Sequence, residues 1–412
     1  MENIWFLRFD SKGLNIEPHT AMTQHPKNAP TRLLILSSAG EIAGSEFSLL
    51  EYLKHLDNNR YEFQVVCMQP GPFPISLQRA DIPVTVIPLQ LSRQAFFRFS
   101  SIKQNSAALW KIARLLRATA ADLVLVNDTM LLKVLLLPLL FCKKPTVYYL
   151  RNYEWKRLWM IRLLFRKKKQ HGLAVSRSVL NHYRTVVGIP AQAMSVAYVS
   201  VDASFRQQKK STPSLKKELH LPRRAKIIGL IARFDTWKGH LTMLRAIERL
   251  AETIPSAHLV IAGETMNEKT FPFLIEYKAK VLQYAQKPTL APRVHILGWR
   301  NDISNIFQSL DILVCPSELE PFARVVLEAM AHGKPVIGAD SGGTPEIIRH
   351  EQNGLLFRTG NDDDLALCLA RLLKNPRYAR KLAAEGQRTV TRNYTMQTSI
   401  DTIEQVYNRI LT

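Results

Sequence analysis

Short runs of β-branched and aliphatic residues alternate with longer stretches of helical periodicity along almost the whole chain. That alternation limits the fold more than any other feature, because strands separated by helices pair in parallel within layered α/β domains. In the first half the strand-like runs are Arg32–Ser38, Glu62–Met68, Val84–Pro88, Leu123–Asn127, Thr146–Leu150 and Gly172–Ser176. In the second half they are Lys226–Arg233, Ala257–Gly263, Val294–Leu297, Ile312–Pro316, Pro335–Ala339 and Gly354–Phe357. The pattern predicts two doubly wound, Rossmann-like α/β domains, and 412 residues suffice for two. The polar, basic seam Arg206–Pro213 separates the halves, and the boundary is placed near Ala203. The expected division is a poorly structured leader (1–30, with Met22 a candidate natural start), a first domain (31–203), a second (204–390) and a C-terminal segment (391–412). Two such domains facing each other leave a cleft, where ligands usually bind.

Charge is the next constraint. Lys and Arg number 56 against 34 Asp and Glu, a net charge of +22. The first half is the more basic, and its charge is clustered with aromatics. Arg151–Lys169 interleaves Trp155, Trp159 and Phe165 with cations at near-helical spacing. A second stretch runs from Arg93, Phe96 and Phe97 to Trp110, Lys111, Arg114 and Arg117. Such segments suit an anionic membrane surface. Nucleic acid, or solvated helix faces with core residues behind them, are the other readings, and nucleic acid comes last. The best apolar run, Met130–Cys142, is short and broken by Lys133 and Pro138, so it reads as a buried helix rather than a span of about 20 apolar residues. Met1–Asp10 lacks the apolar core of a signal peptide. Cys67, Cys142, Cys315 and Cys368 are scattered, without metal-ligand spacing, as in a reducing compartment. The expectation is a cytoplasmic protein, peripheral at the inner face of the membrane.

The densest chemistry lies at Glu320-Pro321-Phe322-Ala323-Arg324, followed by Glu328 in an apolar, helical run. One carboxylate stands at the mouth of a helix and the other about two turns along it. Between them lie backbone N–H groups at a helix N-terminus, a seat for phosphate. Two carboxylates flanking an anion seat suit a ligand that is part phosphate and part polyol, such as a nucleotide sugar. Taken singly, Glu320 reads as a cap and Glu328 as a solvated helix residue. Upstream, Arg233 and Lys238 bracket the loop between the strand Lys226–Arg233 and a helix beginning at Leu241. Loops at the carboxyl ends of parallel strands collect ligands, and two cations there would neutralise a diphosphate.

At these residues the chain resembles the retaining glycosyltransferases of GT-B fold, in the large group-1 (family 4) class. The resemblance rests on Arg233, Lys238-Gly239, and Glu320 to Glu328 with Phe322. Gly333–Gly338, Gly342–Glu346 and Asn353–Phe357 add to it. It runs from about Arg32 to the C-terminus and is strongest over 226–357. The resemblance implies a GT-B architecture whose last helix crosses back onto the first domain. It implies Glu320, Arg233 and Lys238 as catalytic residues. It implies a donor site of Gly44, Arg233, Lys238, Trp299, Arg300, Glu320, Pro321, Phe322, Ala323, Arg324 and Glu328. Gly44 would face the donor diphosphate, Glu328 the ribose, and Trp299-Arg300 the base, with packing an equal reading for Trp299. Glu46, Arg151 and Asn152 fall on the acceptor side. The family often has Gly-Gly-x-Glu where this chain has Ala43-Gly44-Ser45-Glu46. A histidine common after the strand ending at Leu150 is replaced by Arg151-Asn152. Arg151 then reads either as a ligand for an acceptor phosphate or as part of the basic face. Val199–Asp202 stands at the family's Asn-Gly-Val-Asp turn without its glycine, and only a hinge role carries over.

The resulting expectation is a retaining, metal-independent glycosyltransferase. It would move a sugar from a nucleotide diphosphate donor to a glycan or lipid-linked acceptor, in cell-envelope glycan or lipopolysaccharide-type synthesis. It needs no cofactor and takes no nucleic acid partner. A nucleotide-sugar epimerase or soluble glucan synthase of the same fold are the near alternatives. A basic nucleic-acid- or membrane-binding non-enzyme is the distant one. Asp362-Asp363-Asp364 contains the Asp-x-Asp of metal-dependent transferases, but its place before a helical run makes it a cap. Base, sugar, acceptor, linkage and oligomeric state are not legible.

Overall fold

The computed structural model describes residues 29–90, 99–156, 158–201, 214–265 and 272–412, with the paired strands β1 (Phe9–Asp10) and β2 (Gly13–Leu14) inside the expected leader. The chain forms two compact units. The first comprises Met1–Val175, Val179–Ala197 and Ile400–Thr412, and the second Ser176–Ser178 and Tyr198–Ser399. The expected boundary at Ala203, the seam Arg206–Pro213 and the basic residues Arg93–Arg98 lie outside the described residues.

The first unit holds a seven-stranded sheet of β3 (Thr31–Ser37), β4 (Tyr61–Cys67), β5 (Val84–Val86), β6 (Leu123–Val126), β7 (Thr146–Leu150), β8 (Gln170–Ala174) and β9 (Met194–Val196). Their order is β5-β4-β3-β6-β7-β8-β9 and every neighbouring pair is parallel. Leu33 to Leu36 are fully buried, as a strand covered by helices on both faces requires. The expected strands appear within two residues at each end. β9 is new, because three residues carry no readable pattern. The C-terminal helix Met396–Leu411 contributes its later turns to this unit. There Tyr407 meets Tyr52 (Oη–Oη 3.4 Å) and Tyr61, and Glu404 pairs with Arg60 at 2.8 Å.

The second unit holds a six-stranded sheet of β10 (Lys226–Ile231), β11 (Ala257–Ala262), β12 (Val294–Gly298), β13 (Ile312–Cys315), β14 (Val336–Ala339) and β15 (Leu355–Phe357). The order is β12-β11-β10-β13-β14-β15, all parallel. Its core joins Ile228, Leu230, Leu259 and Ile261 to Met243, Leu244 and Ile247 of the helix His240–Leu250. Both sheets are thus doubly wound, as expected. Each has one place where successive strands reverse direction across the sheet. It lies between β3 and β6 in the first unit and between β10 and β13 in the second. Open α/β sheets bind ligands beyond the carboxyl ends of the strands at such points.

Candidate functional site

In the second unit the reversal point carries the residues singled out by the sequence. β10 ends at Ile231 and the chain turns through Arg233 and a 3₁₀ turn, Thr236–Lys238, into the helix His240–Leu250. Gly239 makes the turn possible. Its φ is +72°, and a Cβ there would lie 2.1 Å from the Pro316 carbonyl oxygen in the loop after β13. This close approach seats Lys238 against that loop, and its Nζ lies 2.8 Å from Glu320 Oε2. The two side chains are mostly buried and 82 residues apart in sequence. Lys238 also sits over the Trp237 ring, 3.9 Å from its centroid. Arg233 is more exposed and pairs with Asp235 at 3.1 Å.

Beyond Glu320 the helix Arg324–Ala331 begins as expected, with Ala323 as N-cap. Alanine has no side-chain acceptor, so no side chain caps this N-terminus, where the helix dipole favours an anion. Glu328 is not a solvated helix residue. Its carboxylate is largely buried and forms an ion pair with Arg324, Nε to Oε1 at 2.8 Å. Burial pushes its carboxyl above the ordinary range, and Arg324 offsets part of that rise. Pro321 and Ala323 are buried, and the Phe322 ring is turned into an aromatic cluster with Tyr198 and Tyr394. Gly342 and Gly343 back this loop. The Gly343 N–H donates to the Glu320 carbonyl at 2.7 Å, and a Cβ on Gly342 (φ +59°) would lie 2.2 Å from the same oxygen.

Two of the donor-side candidates have other engagements. Arg300 is held by Asp302 (2.7 Å) and by Glu218 (3.1 Å), and these partners raise its pKa. Trp299 is not a packing residue: it is 60% exposed, and its Nε1 donates to Asn301 at 3.1 Å. Asp362–Asp364 opens the helix Asp362–Lys374, with Asn361 accepting from the Asp364 N–H at 2.9 Å and Arg249 bridging Asp362 and Asp363. The acids therefore serve a helix start. Among the described residues no group of three or more His, Cys, Asp or Glu could hold a metal ion.

In the first unit the reversal point gathers Glu46, Arg151 and residues that sequence reasoning missed. The loop after β3 leads into the helix Gly44–His55. Glu46 lies in its first turn, and its buried carboxylate accepts from the Ala43 N–H (3.2 Å) and the Ser45 hydroxyl (2.8 Å). Asp128, after β6, accepts from the Ser38 N–H at 2.9 Å and caps the helix Thr129–Val134 through the Leu131 N–H at 3.1 Å. Desolvation raises the carboxyl pKa of both Glu46 and Asp128, with Arg151 opposing. Arg151 donates to the Asn127 carbonyl (2.9 Å) and Oδ1 (2.7 Å) and covers the Tyr149 ring at 4.3 Å. Asn152 is exposed, and its carbonyl accepts from Tyr183 at 3.2 Å. Gly44 has open space where a Cβ would stand. The expected histidine is absent from the β7 loop, but His182 reaches that loop from the helix Arg177–His182, its Nε2 2.7 Å from the Glu154 carbonyl. The Glu154 carboxylate in turn pairs with Lys133 and accepts from Thr129 at 3.2 Å. The run Asn127-Asp128-Thr129 after an apolar strand signals an N-cap and was the one available cue for Asp128.

The first unit also bears an exposed aromatic and basic face. The helices Phe99–Ala118, Leu136–Phe141 and Leu158–Leu164 pack in succession. Trp110, Leu137, Phe141 and Trp159 stand mostly exposed on them, with Arg114 over Trp110 and Arg117 over Phe141. The run Arg166–Lys169 is not uniform: Lys167 turns inward and donates to the Leu139 carbonyl (2.9 Å) and to that of Cys142, ending the helix Leu136–Phe141. No helix among the described residues is long and apolar enough to cross a membrane.

Comparison with known proteins places these features. The family described as glycosyl transferases group 1 matches residues 211–389, and glycosyltransferase family 4 matches residues 42–205. Among curated relatives, the N-acetyl-alpha-D-glucosaminyl L-malate synthase of Bacillus anthracis is 26% identical over 238 residues, 58% of this chain and 59% of that protein. The putative glycosyltransferase EpsD of Bacillus subtilis is 32% identical over 177 residues, 43% of this chain and 44% of that protein. The lipopolysaccharide core biosynthesis glycosyltransferase LpsD of Rhizobium meliloti is 24% identical over 211 residues, 51% and 57% of the two chains. The chain thus spans about half the length of the curated relatives it matches. Among solved structures, HepE of Anabaena with UDP and glucose aligns at a TM-score of 0.79, 24% identity, and 92% and 99% coverage of the two chains. The sucrose-phosphate synthase of Thermosynechococcus elongatus aligns at 0.74, 17% identity, and 92% and 99% coverage. These two likenesses establish the fold.

Proposed function

The chain belongs to the group 1 glycosyltransferases, and from that premise we propose that it transfers a sugar, with retention, from a nucleotide diphosphate donor to a glycan or lipid-linked acceptor. The observation that carries this reading is the Lys238–Glu320 pair at the β10/β13 reversal point. Lys238 and Arg233 would take the donor diphosphate, and Glu320 the hydroxyls of the sugar. The helix start at Ala323–Arg324 would hold phosphate oxygens, and Glu328 the ribose. Gly44 leaves room for a ligand to approach the backbone. As the sugar leaves, negative charge grows on the diphosphate, and fixed cations stabilise it without reorganising. The departing phosphate oxygen then takes the acceptor's proton on the same face, so no histidine is required after β7. With side-chain cations and a helix N-terminus facing the phosphates, turnover should persist in excess EDTA.

The acceptor side supports a saccharide. Glu46 and Asp128 are carboxyls sheltered from water, and Arg151 is engaged by Asn127. Carboxyls recognise sugar hydroxyls and repel an anionic acceptor group. The exposed aromatics and cations of the first unit suit a bilayer with anionic lipid, where a lipid-linked acceptor in cell-envelope synthesis would lie. The test is a thermal-shift screen with UDP, GDP, ADP and their sugar conjugates. One of them should raise the melting temperature of the wild type and not of Lys238→Ala. No shift with any nucleotide would overturn the donor assignment.

A further inference from the structure

Phe322 lies in the segment that carries the proposed anion seat, yet its ring packs into an aromatic cluster. It stacks on Tyr198, with centroids 5.5 Å apart and planes at 27°, and lies 6.0 Å from the Tyr394 ring. Tyr198 and Tyr394 meet edge to face at 5.5 Å. Both tyrosines converge on one residue. The Tyr198 hydroxyl donates to Glu346 Oε2 at 2.9 Å, and the Tyr394 hydroxyl donates to the Glu346 carbonyl at 2.8 Å. The Glu346 carboxylate also accepts from the Arg177 N–H (2.9 Å) and the Ser178 N–H (2.8 Å). All of these residues belong to the second unit, which Ser176–Ser178 join as a separate short segment and which Tyr198 opens as a continuous one. Gly343, three residues before Glu346, sits where a Cβ would lie 2.4 Å from the Pro321 carbonyl oxygen. The loop is therefore held from behind by backbone at Gly342–Gly343 and by a ring stack anchored on Glu346.

We infer that Tyr198 is a positioning residue for the Glu320–Ala323 loop, holding it through Phe322 on one side and Glu346 on the other. The role rests on the donor reading given above. A carboxylate that must meet one sugar hydroxyl loses effect with small displacement, and misplacement by about 1 Å can cost on the order of a hundredfold in rate. Free nucleotide, which does not occupy the sugar position, should be less sensitive. Tyr198 meets the loop through its ring and Glu346 through its hydroxyl, so the two can be removed separately.

The experiment compares wild type, Tyr198→Phe and Tyr198→Ala. It follows amide exchange of peptides spanning residues 319–325, affinity for whichever of UDP, GDP or ADP stabilises the wild type, and hydrolysis of the matching nucleotide sugar. Tyr198→Ala should speed exchange in that peptide and lower turnover at least about tenfold, with nucleotide Kd within about threefold of wild type. Tyr198→Phe keeps the stack and loses the hydroxyl, so it should fall between the two. Unchanged exchange and turnover in folded Tyr198→Ala would overturn the inference while leaving the donor reading intact. A proportional fall of nucleotide affinity, turnover and melting temperature would also overturn it, since that is loss of stability alone. Failure of the wild type to bind any nucleotide would overturn the donor reading, and the positioning role with it.

Discussion

Both sheets place their polar groups at a reversal of strand order, but the two places are built differently. In the second unit opposite charges meet from separate loops: Lys238 lies 2.8 Å from Glu320, and Arg233 stands exposed nearby with Asp235. In the first unit the carboxyls of Glu46 and Asp128 are held by backbone N–H groups and a hydroxyl, and the cation Arg151 is directed to Asn127. On the proposed reading, the first arrangement offers a cation to a phosphate and, as that cation is drawn off, a carboxylate to a sugar. The second offers sheltered acceptors, with Arg151 engaged by Asn127, and on the same reading that fits hydroxyls. One fold used twice would then, on the proposed reading, separate charge neutralisation from polyol recognition by what the loops carry.

The largest expected effect strikes the donor half of that contrast. Lys238→Ala should weaken nucleotide diphosphate binding by about 2–5 kcal/mol and nearly abolish transfer, because it removes a phosphate contact and strands the Glu320 carboxylate. Arg233→Ala should cost less, being more exposed; equal losses measured by calorimetry would blur the ranking, and wild-type behaviour of both folded variants would remove the diphosphate assignment. Next comes Glu320→Gln against Glu46→Gln. The former should lose on the order of a hundredfold in nucleotide-sugar hydrolysis with modest change in nucleotide affinity. The latter should spare hydrolysis and impair only transfer to an acceptor. If Glu46→Gln lowers hydrolysis as much as Glu320→Gln, the division between the two sites is wrong.

A smaller effect is expected at the membrane face. Replacing Arg166, Lys168 and Lys169 with Gln, and leaving the inward-turned Lys167, should weaken binding to vesicles containing anionic lipid by about 1 kcal/mol per cation. Trp110→Ala with Phe141→Ala should weaken it further, and donor binding should be unaffected by either set. Co-sedimentation beside nucleotide binding on the same variants checks this, and vesicle binding indifferent to both sets would exclude the face. The smallest effect concerns pH. The Glu46 pKa is raised by burial, so its ionisation opposes folding. The wild type should therefore lose stability relative to Glu46→Gln as pH rises through the folded-state pKa, and the gap should narrow in acid. Urea midpoints across that range would show the sign; a gap that widens in acid would mean the carboxylate is net stabilised in the fold.

The amino-acid sequence carried the strand pattern, because a strand covered on both faces must be continuously apolar, and runs such as Thr146–Leu150 announce themselves. It also singled out Lys238, Glu320 and Glu328 as candidates, since a loop, a proline and a helix start confine what acids and cations there can do. It did not carry β9, too short for periodicity, nor Asp128, Tyr198 and Glu346, whose roles depend on what lies beside them. It also counted Lys167 among the clustered cations of Arg151–Lys169, where the structure turns it inward. Proximity was decided by the tertiary structure alone. Strand order brings the ends of β10 and β13 together, and glycine at 239 and 342 lets the loops close to contact. Local sequence sets backbone preference and burial, whereas a pairing across 82 residues exists only once the sheet has chosen its neighbours.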